Sequence, residues 1–210
     1  MTSTKKSLEK EIPYNQSNDT NAKFEPFIIW SVVFKDKKVL FIINKYSGKG
    51  FQPQLERKIL DVCRDFDVEC TLEFTQGQGH ATLLVEHALS DNFSAIIAVG
   101  GDGTINEVAK GLIKSDIPMG IIPKGSGNGL ARHLGIPLDV AKAMQNIFRS
   151  ELLSIDTFTV NNKLSLNVSG IGFDGHIANH FGQNGKRGLA GYTKIALEEY
   201  FRFKEFNLNI

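Results

Sequence analysis

The chain has no charge excess, almost no cysteine and no hydrophobic run long enough to cross a bilayer, and each absence removes a class of function. Lys and Arg number 24 against 23 Asp and Glu, a net charge of +1 at pH 7. No global field therefore draws nucleic acid to the chain, and no nucleic-acid partner is expected. Cys63 and Cys70 are the only cysteines. They make no disulfide framework and have no His or Cys partners at zinc-like spacing, which suits a reducing cytoplasm. The apolar run from Phe27 to Phe34 contains Ser31 and is far too short to span a membrane. It also lacks the flanks of a signal peptide. It reads as an extra edge strand, with an interfacial anchor as the alternative. The five histidines are scattered; His176 and His180 share a helical face but have no Glu in H-E-x-x-H register. They read as solvent-facing, not as zinc ligands.

What remains is glycine in particular places. From Ile96 to Gly111 the sequence is IIAVGGDGTINEVAKG, a continuous apolar stretch suited to a strand covered on both faces. It breaks at Gly100, Gly101 and Gly103, which permit positive φ and close backbone approach. An amphipathic helix then opens, with Thr104 and Glu107 at capping-box spacing and Ile105, Val108, Ala109, Leu112 and Ile113 on one face. A helix N-terminus emerging from a glycine turn favours an anion, and phosphate is the anion expected. Asp102 is out of place there unless a cation lies between carboxylate and phosphate, for which Mg²⁺ is the simplest choice. The bland alternative is an Asx-type turn and a helix cap.

The same strand–glycine loop–helix rhythm occurs four times. Val39 to Ile43 leads into Asn44-Lys45-Tyr46-Ser47-Gly48-Lys49-Gly50 and a helix bearing Leu55, Ile59, Val62 and Phe66. Val68 to Phe74 leads through Gln76-Gly77-Gln78-Gly79-His80 into a helix from Ala81 to Leu89. The glycine-aspartate segment is third. Met119 to Ile122 leads into Pro123-Lys124-Gly125-Ser126-Gly127-Asn128-Gly129 and a short helix ending near Gly135. Alternation at this spacing predicts an α/β fold with a parallel sheet and all four loops at its carboxyl edge, where such sheets bind ligands. Asn128 is placed to cap the short helix. Arg132, one turn on, is placed to reach a phosphate or brace Asp102. Lys49 screens phosphate or is simply solvated.

A helix is expected over Ala141 to Phe148. Beyond Ser150, two strands, Ile155 to Val160 and Lys163 to Val168, flank Asn161-Asn162, a good hairpin turn. A helix from His176, a loop over Gly182 to Gly188, a helix from Leu189 to about Phe203 and a strand from Phe206 to Ile210 follow. The expected organisation is a disordered polar tail over 1–26, an α/β nucleotide-binding domain over 27–150 and an incomplete β-rich domain over 151–210. Two motif matches carry little. Ser47-Gly48-Lys49-Gly50 lacks the leading glycine and trailing Ser/Thr of a P-loop, and Gly170-x-Gly172-x-x-Gly175 follows a hairpin instead of opening a βαβ unit.

Three segments in order, Asn44-x-x-Ser47-Gly48-Lys49-Gly50, Gly100-Gly101-Asp102-Gly103-Thr104 and Pro123-x-Gly125-Ser126-x-Asn128-x-x-Ala131-Arg132, resemble the catalytic domain of the diacylglycerol kinase and sphingosine kinase family. The resemblance covers roughly Val39 to Phe203. It implies an N-terminal three-layer domain related to those of NAD kinases and phosphofructokinases, and a C-terminal β-sandwich, with ATP in the cleft between them. The activity implied is transfer of the γ-phosphate of ATP, with Mg²⁺, to a lipid hydroxyl on a diacylglycerol, a glycerophospholipid or a sphingoid base. Such an enzyme is cytoplasmic and peripheral at the inner face of a membrane. Residue by residue, the resemblance assigns Asn44, Ser47 and Gly48 to the nucleotide, Thr75, Gly79 and Ala81 to its adenosine side, and Gly101, Asp102, Gly103 and Thr104 to the phosphates. Gly125, Ser126 and Asn128 complete the triphosphate side, Arg187 matches a nucleotide-phosphate arginine, and Asp174 matches a lipid head-group position. Asp102 is read as the catalytic and Mg²⁺-network residue. Leu189, Tyr192, Ile195, Tyr200, Phe201, Phe203 and Phe206 line a lipid-facing surface or a core. Two departures stand out. Lys45 replaces the usual proline after the first asparagine, and the Asp-Gly-Glu element thought to supply the base is absent from these 210 residues. A soluble kinase of the NAD-kinase type and a catalytically inactive nucleotide-binding fragment are the alternatives. Oligomeric state, a homodimer included, is not fixed by the sequence.

Overall fold

The computed structural model describes residues 25–29, 37–48, 50, 52–149, 152–170, 172–180, 189–200 and 202–203. The elements in chain order are β1 (Glu25–Ile29), β2 (Lys38–Ile43), α1 (Pro53–Asp65), β3 (Glu69–Phe74), α2 (His80–Ala88), β4 (Ala95–Gly100) and α3 (Asp102–Leu112). They continue as β5 (Met119–Pro123), α4 (Gly129–His133), α5 (Val140–Arg149), β6 (Leu153–Val160), β7 (Lys163–Ser165), α6 (Phe173–His180) and α7 (Leu189–Tyr200).

The strands form one sheet in the order β3-β2-β4-β5-β1-β6-β7. The run β3-β2-β4-β5 is parallel throughout, so the expected α/β class with a parallel sheet holds. β2, β4 and β5 are buried on both faces while the edge strand β3 is only half-buried, and alternate residues of the buried strands divide between two apolar layers. Val39, Phe41 and Ile43 pack with Leu55 and Ile59 of α1 and Met144, Ile147 and Phe148 of α5. Leu40 and Ile42 pack with Ala81 and Val85 of α2 and Ile105, Val108 and Leu112 of α3. Helices α2 and α3 approach closely because Gly111 has no side chain; a Cβ there would lie 2.7 Å from the Val85 side chain.

Strand order reverses between β2 and β4: from β2 the chain steps outward to β3, then back across to β4 and β5. In open α/β sheets such a reversal leaves a crevice at the carboxyl ends of the strands. Here it lies between the loop after Ile43 and the loop after Gly100.

The expected edge strand corrects to an interior one. β1 lies between β5 and β6, with a single parallel pair, Ile29 to Met119, on one side and five antiparallel pairs on the other. Glu25 and Pro26 begin that strand; the rest of the expected polar tail lies outside the described residues. Because β6 pairs with β1, the sheet continues past residue 150.

The hairpin turns at Asn161 and Asn162, both with positive φ, 49° and 62°, as a two-residue turn of this twist requires. Its second strand ends at Ser165, three residues short of the expected Val168. α6 begins three residues earlier than expected, after Gly172 at φ +86°. The loop expected over 182–188 and the strand over 206–210 lie outside the described residues.

The cysteines are both free; Cys63 is buried in α1 and Cys70 half-buried on β3. Burial, aided by the neighbouring Cys70 sulfur, pushes the Cys63 thiol up and favours its protonated form. Among the described residues no helix is long and apolar enough to cross a membrane.

Candidate active site

Four loops leave the carboxyl ends of the parallel strands, and three of them begin with a backbone bond to the end of the neighbouring strand. The Thr75 N–H donates to Ile43 O at 3.0 Å, Asn44 N–H to Val99 O at 2.9 Å and Lys124 N–H to Gly100 O at 2.7 Å. Ladder bonding thus extends one residue past β2, β3 and β5, and the tips bearing Ser47, Asp102 and Ser126 are neighbours.

The first loop is shaped by Asn44. Its Oδ1 accepts the Tyr46 N–H at 2.9 Å, and its carbonyl accepts the Ser47 hydroxyl at 3.0 Å. This Asx turn does the work of the missing proline, and the Lys45 ammonium lies 3.8 Å over the Phe74 ring. Across the crevice, Asn44 Nδ2 donates to Thr104 Oγ1 at 3.0 Å. Gly48 is required: it has φ +60°, and a Cβ would stand 2.0 Å from Lys124 O.

The glycine-aspartate loop works by close approach. Of the two freedoms expected of Gly100, Gly101 and Gly103, positive φ is not used and close backbone approach is. A Cβ on Gly100 would meet the Thr104 side chain at 2.5 Å, and one on Gly101 would lie 3.1 Å from Gly125 Cα. A Cβ on Gly103 meets nothing within 4 Å, so that face of the loop is open.

The capping box is also corrected. Gly101 is the N-cap of α3, and its helix begins at Asp102, which places Thr104 inside the first turn. Glu107 caps a different helix: Oε1 accepts the Gly79 N–H at 2.9 Å and Oε2 the Ala81 N–H at 3.3 Å. Thr82 Oγ1 adds a bond to Glu107 O at 2.8 Å. The positive end of α2 is therefore neutralised by a carboxylate of α3. The N–H groups of Gly79 and Ala81, expected on the adenosine side, are already engaged. Thr75 is buried at the head of this same loop.

Asp102 is exposed, and its Oδ1 accepts the Leu130 N–H in the first turn of α4 at 3.2 Å. Asn128 does not cap α4 with its side chain. It sits at φ 51° and folds back on its own loop, Oδ1 accepting Gly125 N–H at 2.7 Å and Nδ2 donating to Gly125 O at 2.9 Å. Asp102 supplies the cap instead. Arg132 braces the Gly127 carbonyl through Nε at 2.9 Å, not Asp102. The Ser126 hydroxyl is exposed and makes no hydrogen bond among the described residues.

Asp102 Oδ2 accepts no hydrogen bond among the described residues and lies 3.2 Å from where a Gly127 Cβ would stand. Those residues hold no cluster of three acidic, His or Cys ligands. Mg²⁺ is often bound through one carboxylate, phosphate oxygens and water, and the donor set fits that arrangement. Beside Asp102, a cleft of about 270 Å³ opens between α3, α4 and the segment after β7, with Asn106, Leu164, Asn167 and Val168 on its walls. A wider depression of about 600 Å³ lies at the opposite edge of the sheet, between the end of α1 and the start of β3, and carries none of these residues.

Of the remaining expected residues, Asp174 falls in α6, its side chain outside what the structure describes, and Arg187 and Lys49 lie outside the described residues. His176 is not solvent-facing: it is half-buried and pairs with Glu199 at 2.9 Å. Two residues of consequence had no assignment near phosphate, Lys124 and Asn106. A lysine directly after a buried strand was a signal for the first.

The family model described as "Diacylglycerol kinase catalytic domain" matches residues 38–160, which span all four loops. The chain belongs to this diacylglycerol kinase family. It is 36% identical over 160 residues to a "Probable lipid kinase YegS-like" of Klebsiella pneumoniae (strain 342), covering 74% of this chain and 52% of that one. With the "Diacylglycerol kinase" of Bacillus subtilis (strain 168) it shares 35% identity over 139 residues, covering 65% and 46%. The crystal structure of a diacylglycerol kinase from Bacillus anthracis str. Sterne superposes with a TM-score of 0.59 at 32% identity, over 68% of this chain and 50% of that chain. The chain thus spans about half the length of these family members.

Proposed function

We propose that the chain is the nucleotide-binding part of an ATP-dependent lipid kinase that moves the γ-phosphate to a lipid hydroxyl at a membrane surface. The observation that carries this reading is the joining of three loops around one crevice: Asn44 to Thr104, Gly101 against Gly125, and Asp102 to α4.

Phosphoryl transfer depends chiefly on positioning and neutralising charge. In this reading the open face of Gly103 and the first turn of α3 receive the phosphates, and the Ser126 hydroxyl and the loop of Asn44, Ser47 and Gly48 hold the nucleotide. Thr75, Gly79 and Ala81 border its adenosine side. Because the α2 N–H groups are taken by Glu107, that border acts by shape instead of by anion binding. Bound Mg²⁺ would supply charge neutralisation, with Asp102 as its protein carboxylate. The cleft beside Asp102, polar at Asn106 and Asn167 and apolar at Leu164 and Val168, suits the hydroxyl end of a diacylglycerol, glycerophospholipid or sphingoid base. Arg187 and Asp174 belong to the same reading as phosphate and head-group contacts. So does a cytoplasmic enzyme, monomer or homodimer, peripheral at the inner membrane.

The test is transfer of labelled γ-phosphate from ATP with Mg²⁺ in the presence of a lipid extract. Label in the organic phase supports a lipid kinase. Label in a water-soluble nucleotide favours a kinase of the NAD-kinase type, and ATP binding without transfer to any acceptor favours a non-catalytic nucleotide-binding fragment.

A further inference from the structure

Lys124 follows the last residue of β5, at the root of the loop carrying Gly125, Ser126 and Asn128. Its side chain does not enter that loop. It crosses to the loop after β2, where Nζ donates to Ser47 O at 2.8 Å, Gly50 O at 2.7 Å and Lys45 O at 3.5 Å. An ammonium has three N–H donors and no acceptor, and three carbonyls of one turn take all of them. The main chain makes a second contact between the same loops, because Gly48 packs on Lys124 O with no room for a Cβ. Burial lowers the Lys124 pKa from the usual lysine range, and the three carbonyls act against that shift by favouring the charged form.

We propose that Lys124 is a positioning residue which locks the β2–α1 loop in the shape that receives nucleotide. The proposal rests on the reading of these loops as the ATP site. A lysine beside a phosphate loop is ordinarily a direct phosphate ligand. Here its donors are spent on carbonyls, so its positive charge organises the turn from behind. The lock also ties the two loops together, so Asn44 and Ser47 hold their place relative to Ser126 before nucleotide arrives. Preorganisation of this kind strengthens binding by lowering the ordering cost.

The test compares the unmodified chain with Lys124→Met and Lys124→Arg, using NMR amide exchange without nucleotide and titration with ATP and Mg²⁺. The expected result is faster exchange at Ser47 and Gly50 in Lys124→Met, with β4 and α3 unchanged, and ATP affinity reduced roughly tenfold or more. Lys124→Arg, which keeps charge and donors, should recover part of both. Unchanged exchange in Lys124→Met, with or without a loss of ATP affinity, would overturn the proposal, since a direct phosphate ligand would leave the empty loop as it was. Faster exchange with unaltered affinity would overturn it as well. If Lys124→Met does not fold, Lys124→Gln gives the same comparison. Failure of the unmodified chain to bind ATP would count against the proposed function, and the exchange comparison, which needs no nucleotide, would still decide whether Lys124 holds the loop.

Discussion

The Leu130 N–H donates to Asp102 Oδ1 at 3.2 Å, so the aspartate that opens α3 also closes the exposed end of α4. One carboxylate oxygen is structural and the other faces the loops. The two roles can be separated by substitution. Asp102→Asn keeps an oxygen for the Leu130 N–H and should fold normally while losing Mg²⁺-dependent transfer by on the order of a hundredfold, the scale seen for charge-stabilising groups. Asp102→Ala should also lose about 1 kcal/mol of stability through the missing cap. Denaturant titration and transfer rates check this; equal stability losses in the two variants would contradict the division.

Gly103 and Gly125 make a second contrast. A Cβ on Gly125 would press to 2.6 Å on Gly101 Cα and 2.8 Å on Asn128 Oδ1, whereas one on Gly103 meets nothing. Gly125→Ala should therefore destabilise the fold by roughly 1–3 kcal/mol, the usual cost of overpacking. Gly103→Ala should unfold like the parent yet bind ATP more weakly, because its new methyl group would stand in the open space to which the proposed function assigns phosphate. Thermal melts alongside ATP titration distinguish the two.

Glu107 should behave as a cap for a helix it does not belong to. Glu107→Ala leaves the Gly79 and Ala81 N–H groups without a carboxylate and should cost about 1 kcal/mol. Amide exchange at Gly79 and Ala81 should rise while the middle of α3 stays protected. Unaltered exchange at α2 would show that the bond carries no stability.

The Asn44 to Thr104 bond, 3.0 Å across the crevice, should show coupling. In a double-mutant cycle, Asn44→Ala and Thr104→Val should be non-additive by roughly 0.5–1.5 kcal/mol. Additive losses would mean that the two loops are held together by other contacts alone.

Much of this site could be read in the residues because strand, loop and helix had to appear in a fixed order for Gly48, Asp102 and Ser126 to share an edge. What misled was assigning local partners to side chains whose partners are remote. Thr104 and Glu107 have capping-box spacing, yet the first bonds Asn44, 60 positions away, and the second reaches back to α2. Asn128 stands at a cap position and bonds Gly125 instead. Position in sequence marks where an orphan N–H group will be, but which oxygen reaches it depends on how neighbouring helices pack. β1 was misplaced for a related reason: an isolated apolar run shows that a strand is buried on some side, and only the pairing partner, here β6, decides edge from interior. The role of Lys124 is not legible locally, because nothing in its own segment shows that three carbonyls of another loop lie within reach.

The central claim, that the loops after β2, β4 and β5 form one nucleotide site, is tested most directly by mapping amide protection on addition of ATP and Mg²⁺. The account predicts protection at residues 44–50, 101–104 and 124–128, with any further protection limited to the adjoining loop over 75–81, and weakened together by Gly103→Ala. Protection at the far edge, around Leu60 to Glu69, or none in any of the three loops at saturating ATP, would contradict it.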